Sequence, residues 1–224
     1  MLRKIRISLA AIFFICITLL FLDFTGTIHA WLGWMAKIQF LPAVLALNVG
    51  IIVLLVVLTL LFGRVYCSVI CPLGVMQDII SWFGGKRKRN RFSYSAEKRW
   101  LRYGVLIVFV VLFVAGLNSI ALLIAPYSAY GRIAQNLLAP IWGFGNNILA
   151  FIAERVDSYA FYSTEVWIRS WVTFAVAVAT LGIVGYLAWR SGRTYCNTIC
   201  PVGTVLGFLS RFSLLRPVID TSKC

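Results

Sequence analysis

Apolar residues along this chain fall in long blocks rather than in the narrow stripes of a soluble domain. Leu41 to Phe62 is 22 residues without a charge, Tyr103 to Ile124 is another 22, and Ser170 to Trp189 is 20. At 1.5 Å per residue, a helix of about 20 residues crosses the roughly 30 Å hydrocarbon core of a bilayer. A shorter run, Ile7 to Leu22, lies between Arg6 and Asp23. It can span if Arg6 snorkels and the bilayer adapts. The pattern predicts an all-α membrane protein with four transmembrane helices, at about 5–24, 41–63, 100–124 and 167–189. The basic start, Leu2-Arg3-Lys4-Ile5-Arg6, also suits a signal peptide. The apolar run is slightly long for one, and Thr27-Ile28-His29-Ala30 is a poor cleavage site, so a retained helix is expected.

The segments between the blocks are not ordinary polar loops. Ile28 to Phe40 carries Trp31 and Trp34, which suit the headgroup layer. Asn147 to Val156 is apolar on one side and is expected to lie in the interface. Val75 to Phe83, ended by Gly84-Gly85, and Thr204 to Phe212 are amphipathic. Interfacial amphipathic helices are therefore expected beside the four spans.

Composition agrees with the block pattern: 61% of residues are hydrophobic and 12% charged, where a soluble domain has about 25% charged. The net charge of +14 raises the question of nucleic acid. Its distribution answers it. With the N-terminus inside and four spans threaded, 17 of the 21 basic residues fall on the inner side, and the outer side is neutral. The whole excess is positive-inside bias, and no nucleic acid is expected. This places N- and C-termini in the cytoplasm and the chain in a bacterial-type inner membrane as a multi-pass protein. The run Lys86 to Arg91 is a topology signal that can also meet anionic lipid headgroups.

The chain repeats itself. Gly63-Arg64-Val65-Tyr66-Cys67-Ser68-Val69-Ile70-Cys71-Pro72-Leu73-Gly74 matches Gly192-Arg193-Thr194-Tyr195-Cys196-Asn197-Thr198-Ile199-Cys200-Pro201-Val202-Gly203 at eight of twelve positions, at an offset of 129. Each copy follows an even-numbered span and precedes an amphipathic stretch. Two halves of the same polarity are parallel repeats, and they bring both motifs to one inner face.

Four of the six cysteines lie in these motifs. Cys-x-x-x-Cys sets two sulfurs one helical turn apart on one face. Pro72 and Pro201 suit the first turn of a following helix, where a missing N–H costs nothing. Free N–H groups at that helix start favour anionic sulfur, and Arg64 and Arg193 add positive charge just upstream. A reducing cytoplasmic face argues against structural disulfides. Four-cysteine zinc is acceptable chemistry, although structural zinc sites more often use closer pairs. An iron–sulfur cluster is typically held by four thiolates, and the bacterial ferredoxin run also ends in Cys-x-x-x-Cys-Pro. Thiol–disulfide exchange and soft-metal handling would use the same cysteines. Membrane redox thiols are more often spaced Cys-x-x-Cys, and three methionines with one histidine are few for a copper relay. A passive redox-complex anchor is a further alternative.

At these residues the chain resembles the membrane iron–sulfur proteins of the NapH and NosR type, with two Cys-x-x-x-Cys-Pro motifs after transmembrane helices. The resemblance runs from about helix 2 to the end. It implies an electron-transfer component of quinol dehydrogenase type. Such a component passes electrons between the quinone pool or a ferredoxin-type donor and a redox partner protein. It also implies a cluster, [4Fe–4S] above other types, at Cys67, Cys71, Cys196 and Cys200, with Pro72 and Pro201 completing the motif. The family usually continues into a soluble domain with two clusters. Asp220-Thr221-Ser222-Lys223-Cys224 resembles the lead-in to its cysteine run, with Cys224 as a first ligand. The expected division is thus a membrane domain over 1–219 and the start of a ferredoxin-like domain at 220–224.

The remaining candidates have blander readings. Cys16 has no cysteine at helical spacing and is a packing residue. His29, the only histidine, argues against bis-histidine haem; with Asp23 it could take protons from a quinol, but an interfacial histidine without that role is the expectation. Tyr66 and Tyr195 pack beside the sulfurs or anchor at the headgroups. Asp78 has Gly207 at the equivalent repeat position, so a shared catalytic role is not expected.

Overall fold

The first apolar block forms one helix, α1 (Leu2–Leu22). It buries Ala10, Ile17 and Leu20 and leaves Ile5, Ile7, Leu9, Ile12 and Ile15 on its outer side. Thr18 satisfies its hydroxyl by donating to the Phe14 carbonyl at 2.7 Å, as an apolar surrounding demands. The computed structural model describes residues 2–23, 25–85, 99–155, 163–164 and 170–215. Lys86 to Arg91 and positions 220–224, Cys224 included, lie outside the described residues.

A turn at Asp23 follows α1. The Asp23 carboxylate accepts from the backbone N–H groups of Thr25, Gly26 and His29 and from the Thr25 hydroxyl. It serves as an anchor for the start of α2 (Thr27–Lys37). That employment leaves the proton-uptake role considered for Asp23 and His29 without structural support.

The second and third blocks are not single helices. The second divides into α3 (Phe40–Leu45) and α4 (Val49–Phe62), and the third into α6 (Arg99–Val114) and α7 (Asn118–Ile124). Both breaks have the same local cause. Asn48 N–H bonds to the Ala43 carbonyl and Leu47 N–H to that of Val44; Leu117 N–H bonds to Leu112 and Gly116 N–H to Phe113. Each is a helix-ending pair that needs one residue in the left-handed region. Gly116 supplies it at φ +78°, and Leu47 supplies it at φ +50°. Hydropathy is blind to such a turn because leucine and alanine keep the block apolar. Leu47 is exposed, so Leu47→Gly should lose no packing and relieve about 1 kcal/mol of backbone strain; a higher Tm of the purified protein is the expected readout.

Among the described residues, three helical runs are long and apolar enough, by length and composition, to cross a membrane: Arg3–Leu22, Trp171–Ser191 and Pro126–Glu154. The last includes part of the outer segment. Asn147 to Val156 was expected in the interface, and the described part of it ends a 29-residue helical path built from α8 (Pro126–Ile133), a π-helical turn (Ala134–Leu138) and α9 (Ala139–Glu154). Helix α10 (Trp171–Ser191) follows the described part of the connection.

Both halves of the repeat end the helix before the motif on the repeated glycine. Gly63 sits at φ +70° after α4 and Gly192 at φ +68° after α10, a conformation that a side chain resists. Each half then turns back through its cysteine motif into a helix that packs on the other half. Helix α5 (Pro72–Gly85) lies along α10, with Gly84 against Trp189. Helix α12 (Pro201–Leu209) and the 3-10 turn Ser210–Phe212 lie against α4, where Leu214 and Leu215 N–H groups bond to the carbonyls of Leu60 and Leu61. The stretches read as amphipathic are these two helices, and their first turns are wholly buried. The exchange places both motifs in one apolar core with Ile17, Leu55, Tyr130 and Val184.

Candidate metal centre

The two motifs share one backbone design. Tyr66 to Ile70 forms a π-helical turn, and Thr194 to Thr198 forms the short helix α11. In each, the second cysteine N–H reaches five residues back to the tyrosine carbonyl: Cys71 to Tyr66 at 2.9 Å and Cys200 to Tyr195 at 3.0 Å. Each second cysteine then leaves the helix in extended conformation, Cys71 at φ −76°, ψ 114° and Cys200 at φ −67°, ψ 119°. Two sulfurs one helical turn apart were expected ahead of a proline-started helix; the structure ends the turn at the second cysteine, which is extended. Pro72 and Pro201 open α5 and α12 as predicted. Gly203 N–H points at Cys200 Sγ at 3.3 Å, so the helix start faces sulfur as expected.

The repeated glycines Gly74 and Gly203 have a steric reason. A Cβ at Gly74 would collide with the Cys67 carbonyl oxygen, and one at Gly203 with that of Cys196. The helix start can fold back onto its own motif only if that position carries no side chain.

All four motif cysteines are buried and unoxidised, whereas Cys16 is partly exposed and apart. Burial pushes each motif thiol upward, Cys196 to about 12, and the four are near enough to act on one another. Burial is the first cause for Cys71, and the negative charge of Cys196 and Cys67 adds to it. Cys200 responds to burial and then to all three others. Burial likewise dominates for Cys67, opposed by Arg64 and Arg193. Among the described residues no three Cys, His, Asp or Glu side chains gather closely enough for a single metal ion. Four buried sulfurs that act on one another are the donor set that an iron–sulfur cluster takes.

Each predicted neighbour has a place. Arg193 forms a fork-like ion pair with Asp78 of α5. Arg64 donates to Asn197 at 2.7 Å and lies over Gly207. Tyr66 packs inside: its hydroxyl donates to Gln39 Oε1 at 2.9 Å and accepts from Phe40 N–H at 3.0 Å. Gln39 Nε2 in turn donates to the Ile70 carbonyl at 3.1 Å, one residue before Cys71. Tyr195 donates to the Ile124 carbonyl at 2.7 Å. Tyr66→Phe strands two buried groups, and we expect about 2–4 kcal/mol of lost stability, measured by thermal unfolding in detergent.

Sequence reasoning missed Gln77 and the role of Asp78. Gln77 is wholly buried and donates to Cys196 Sγ at 3.2 Å. Its repeat counterpart is Leu206, so no doubled signal marks it. Asp78 was set aside because its counterpart is Gly207, yet it binds the arginine of the opposite motif.

Comparison with known proteins bears directly on this core. The model of a family described as a 4Fe-4S binding domain matches residues 44–90 and 171–219, taking in both motifs and the helices around them. The ferredoxin-type protein NapH of Haemophilus influenzae is 26% identical over 185 residues, 82% of this chain and 51% of that protein. NapH of Escherichia coli is 28% identical over 186 residues, again 82% and 51%. The methylamine utilization ferredoxin-type protein MauN of Paracoccus denitrificans is 26% identical over 189 residues, 84% and 50%. The chain spans about half the length of the curated relatives it matches. No solved structure matches it.

Proposed function

We propose, from the premise that the chain is an iron–sulfur membrane protein related to NapH, that Cys67, Cys71, Cys196 and Cys200 together hold one [4Fe–4S] cluster between the two repeats. The observation that carries this reading is the meeting of four buried, mutually interacting cysteines from two copies of one motif. When bound, such a cluster supplies one-electron chemistry. The chain provides the rest. The four sulfurs ligate, the starts of α5 and α12 turn N–H groups toward anionic sulfur, and the apolar core excludes water. Arg64 and Arg193 offset negative charge beside Cys67. Pro72 and Pro201 start the two helices without leaving an N–H to satisfy.

Electrons pass, in this reading, between the quinone pool or a ferredoxin-type donor and a redox partner protein, at the cytoplasmic face of a bacterial-type inner membrane. Positive-inside charge supports that face, and the ferredoxin-type relatives support the class of reaction. Thiol–disulfide exchange is the weaker reading. It needs an accessible sulfur with a depressed pKa, whereas these are buried and pushed up.

Iron and acid-labile sulfide per chain, with EPR after dithionite, test the proposal on anaerobically purified protein. About four of each are expected, lost in both Cys67→Ser and Cys196→Ser. An iron-free wild-type protein with four titratable thiols would overturn it.

A further inference from the structure

The two halves are alike in backbone but not in what they hold against the sulfurs. On α5, Gln77 and Asp78 reach across to the second motif: Gln77 Nε2 donates to Cys196 Sγ, and Asp78 pairs with Arg193. The same register on α12 is Leu206 and Gly207. Leu206 is fully buried and Gly207 is covered by Arg64 and Arg102. Among the described residues, Cys196 is the one motif sulfur that receives a side-chain hydrogen bond.

Gln77 is a costly choice on packing grounds. It is 0% exposed, and its Oε1 finds no donor among the described residues. A buried carbonyl oxygen without a partner is penalised. Its Nε2 reaches the Leu73 carbonyl only at 3.4 Å, a longer contact than the one to sulfur. Leucine in the same place on the other half shows that this fold accepts an apolar side chain there. The glutamine is thus explained by what its N–H meets.

We propose that Gln77 is a tuning residue, whose N–H to Cys196 Sγ raises the reduction potential of the bound cluster and makes its two sides unequal. This rests on Cys196 being a ligand, as read above. Adding one electron makes the cluster and its sulfurs more negative. A fixed N–H donor stabilises the reduced form more than the oxidised one. Removing the donor favours the oxidised form. No such donor reaches Cys67 among the described residues.

The test is a potentiometric EPR titration of the full chain, comparing wild type with Gln77→Leu and Gln77→Met. Leucine copies the opposite half, and methionine keeps the length without an N–H. The expected result is an unchanged iron and sulfide content. The midpoint should fall by roughly tenfold in the reduced-to-oxidised ratio, about 59 mV for one electron. A full complement of iron with an unmoved midpoint in both variants overturns the tuning role. So does loss of iron from both, which would make Gln77 a structural residue. Iron missing from the wild type is a different failure, because it removes the cluster reading itself along with this one.

Discussion

Gly74→Ala is expected to empty the metal centre, and Gly203→Ala to do the same from the other half. The methyl group would meet a backbone carbonyl, of Cys67 in one case and Cys196 in the other. A flexible side chain could swing aside, but a carbonyl already built into the motif cannot move without displacing its own cysteine. We expect a loss of about 3 kcal/mol in stability, at the upper end of overpacking costs, and loss of most of the iron. Gly182→Ala is the control. It lies in α10, where a Cβ meets nothing within 4 Å, and the change should keep full iron and gain a few tenths of a kcal/mol or more from helix propensity. Iron and sulfide assays on the three variants decide it. Full iron in Gly74→Ala would show that the close fold-back is dispensable.

The second large effect concerns the ion pair between the halves. Asp78→Asn keeps the shape of the side chain and removes its charge. The guanidinium of Arg193 is left near Cys67 and Cys196 without its carboxylate. The side chains are 26% and 35% exposed, so solvent screens part of the cost. About 1–2 kcal/mol of stability should be lost, less than for a fully buried pair. If Cys67 and Cys196 ligate a cluster, its potential should also rise, opposite in sign to the Gln77 variants, because unopposed positive charge favours the reduced form. Asp78→Asn combined with Arg193→Gln should restore the potential toward wild type. An unchanged potential in the single variant would show that the pair is structural only.

How much of this was legible depended on the kind of signal. The apolar blocks gave the membrane class, and the doubled motif gave the four cysteines, both prolines and both arginines. Identity between copies also marked Gly63, Gly192, Gly74 and Gly203, although their steric reasons need coordinates. The breaks at Leu47 and Gly116 were hidden, because a helix-ending turn can be made from apolar residues. The long helical run Pro126–Glu154 was hidden for the opposite reason, since Arg132 and several small or polar residues dilute its hydropathy. In the structure that arginine turns aside to cap α7 through the carbonyls of Leu122 and Leu123. Gln77 and Asp78 escaped because a search for matching positions discards residues that differ between copies. Those two are where the halves differ in what they hold against the second motif.

The crossing of α5 onto α10 and of α12 onto α4 has a consequence for biosynthesis. While only the first half has been made, α5 has α1 but not α10 to pack on, and Cys67 and Cys71 are two of the four motif cysteines. The pairing of Leu214 and Leu215 with Leu60 and Leu61 has to wait for the segment after α12. If the four motif cysteines hold one cluster, a ribosome stalled after α9 would carry only two of its four ligands, and the set is complete only once Cys200 has emerged.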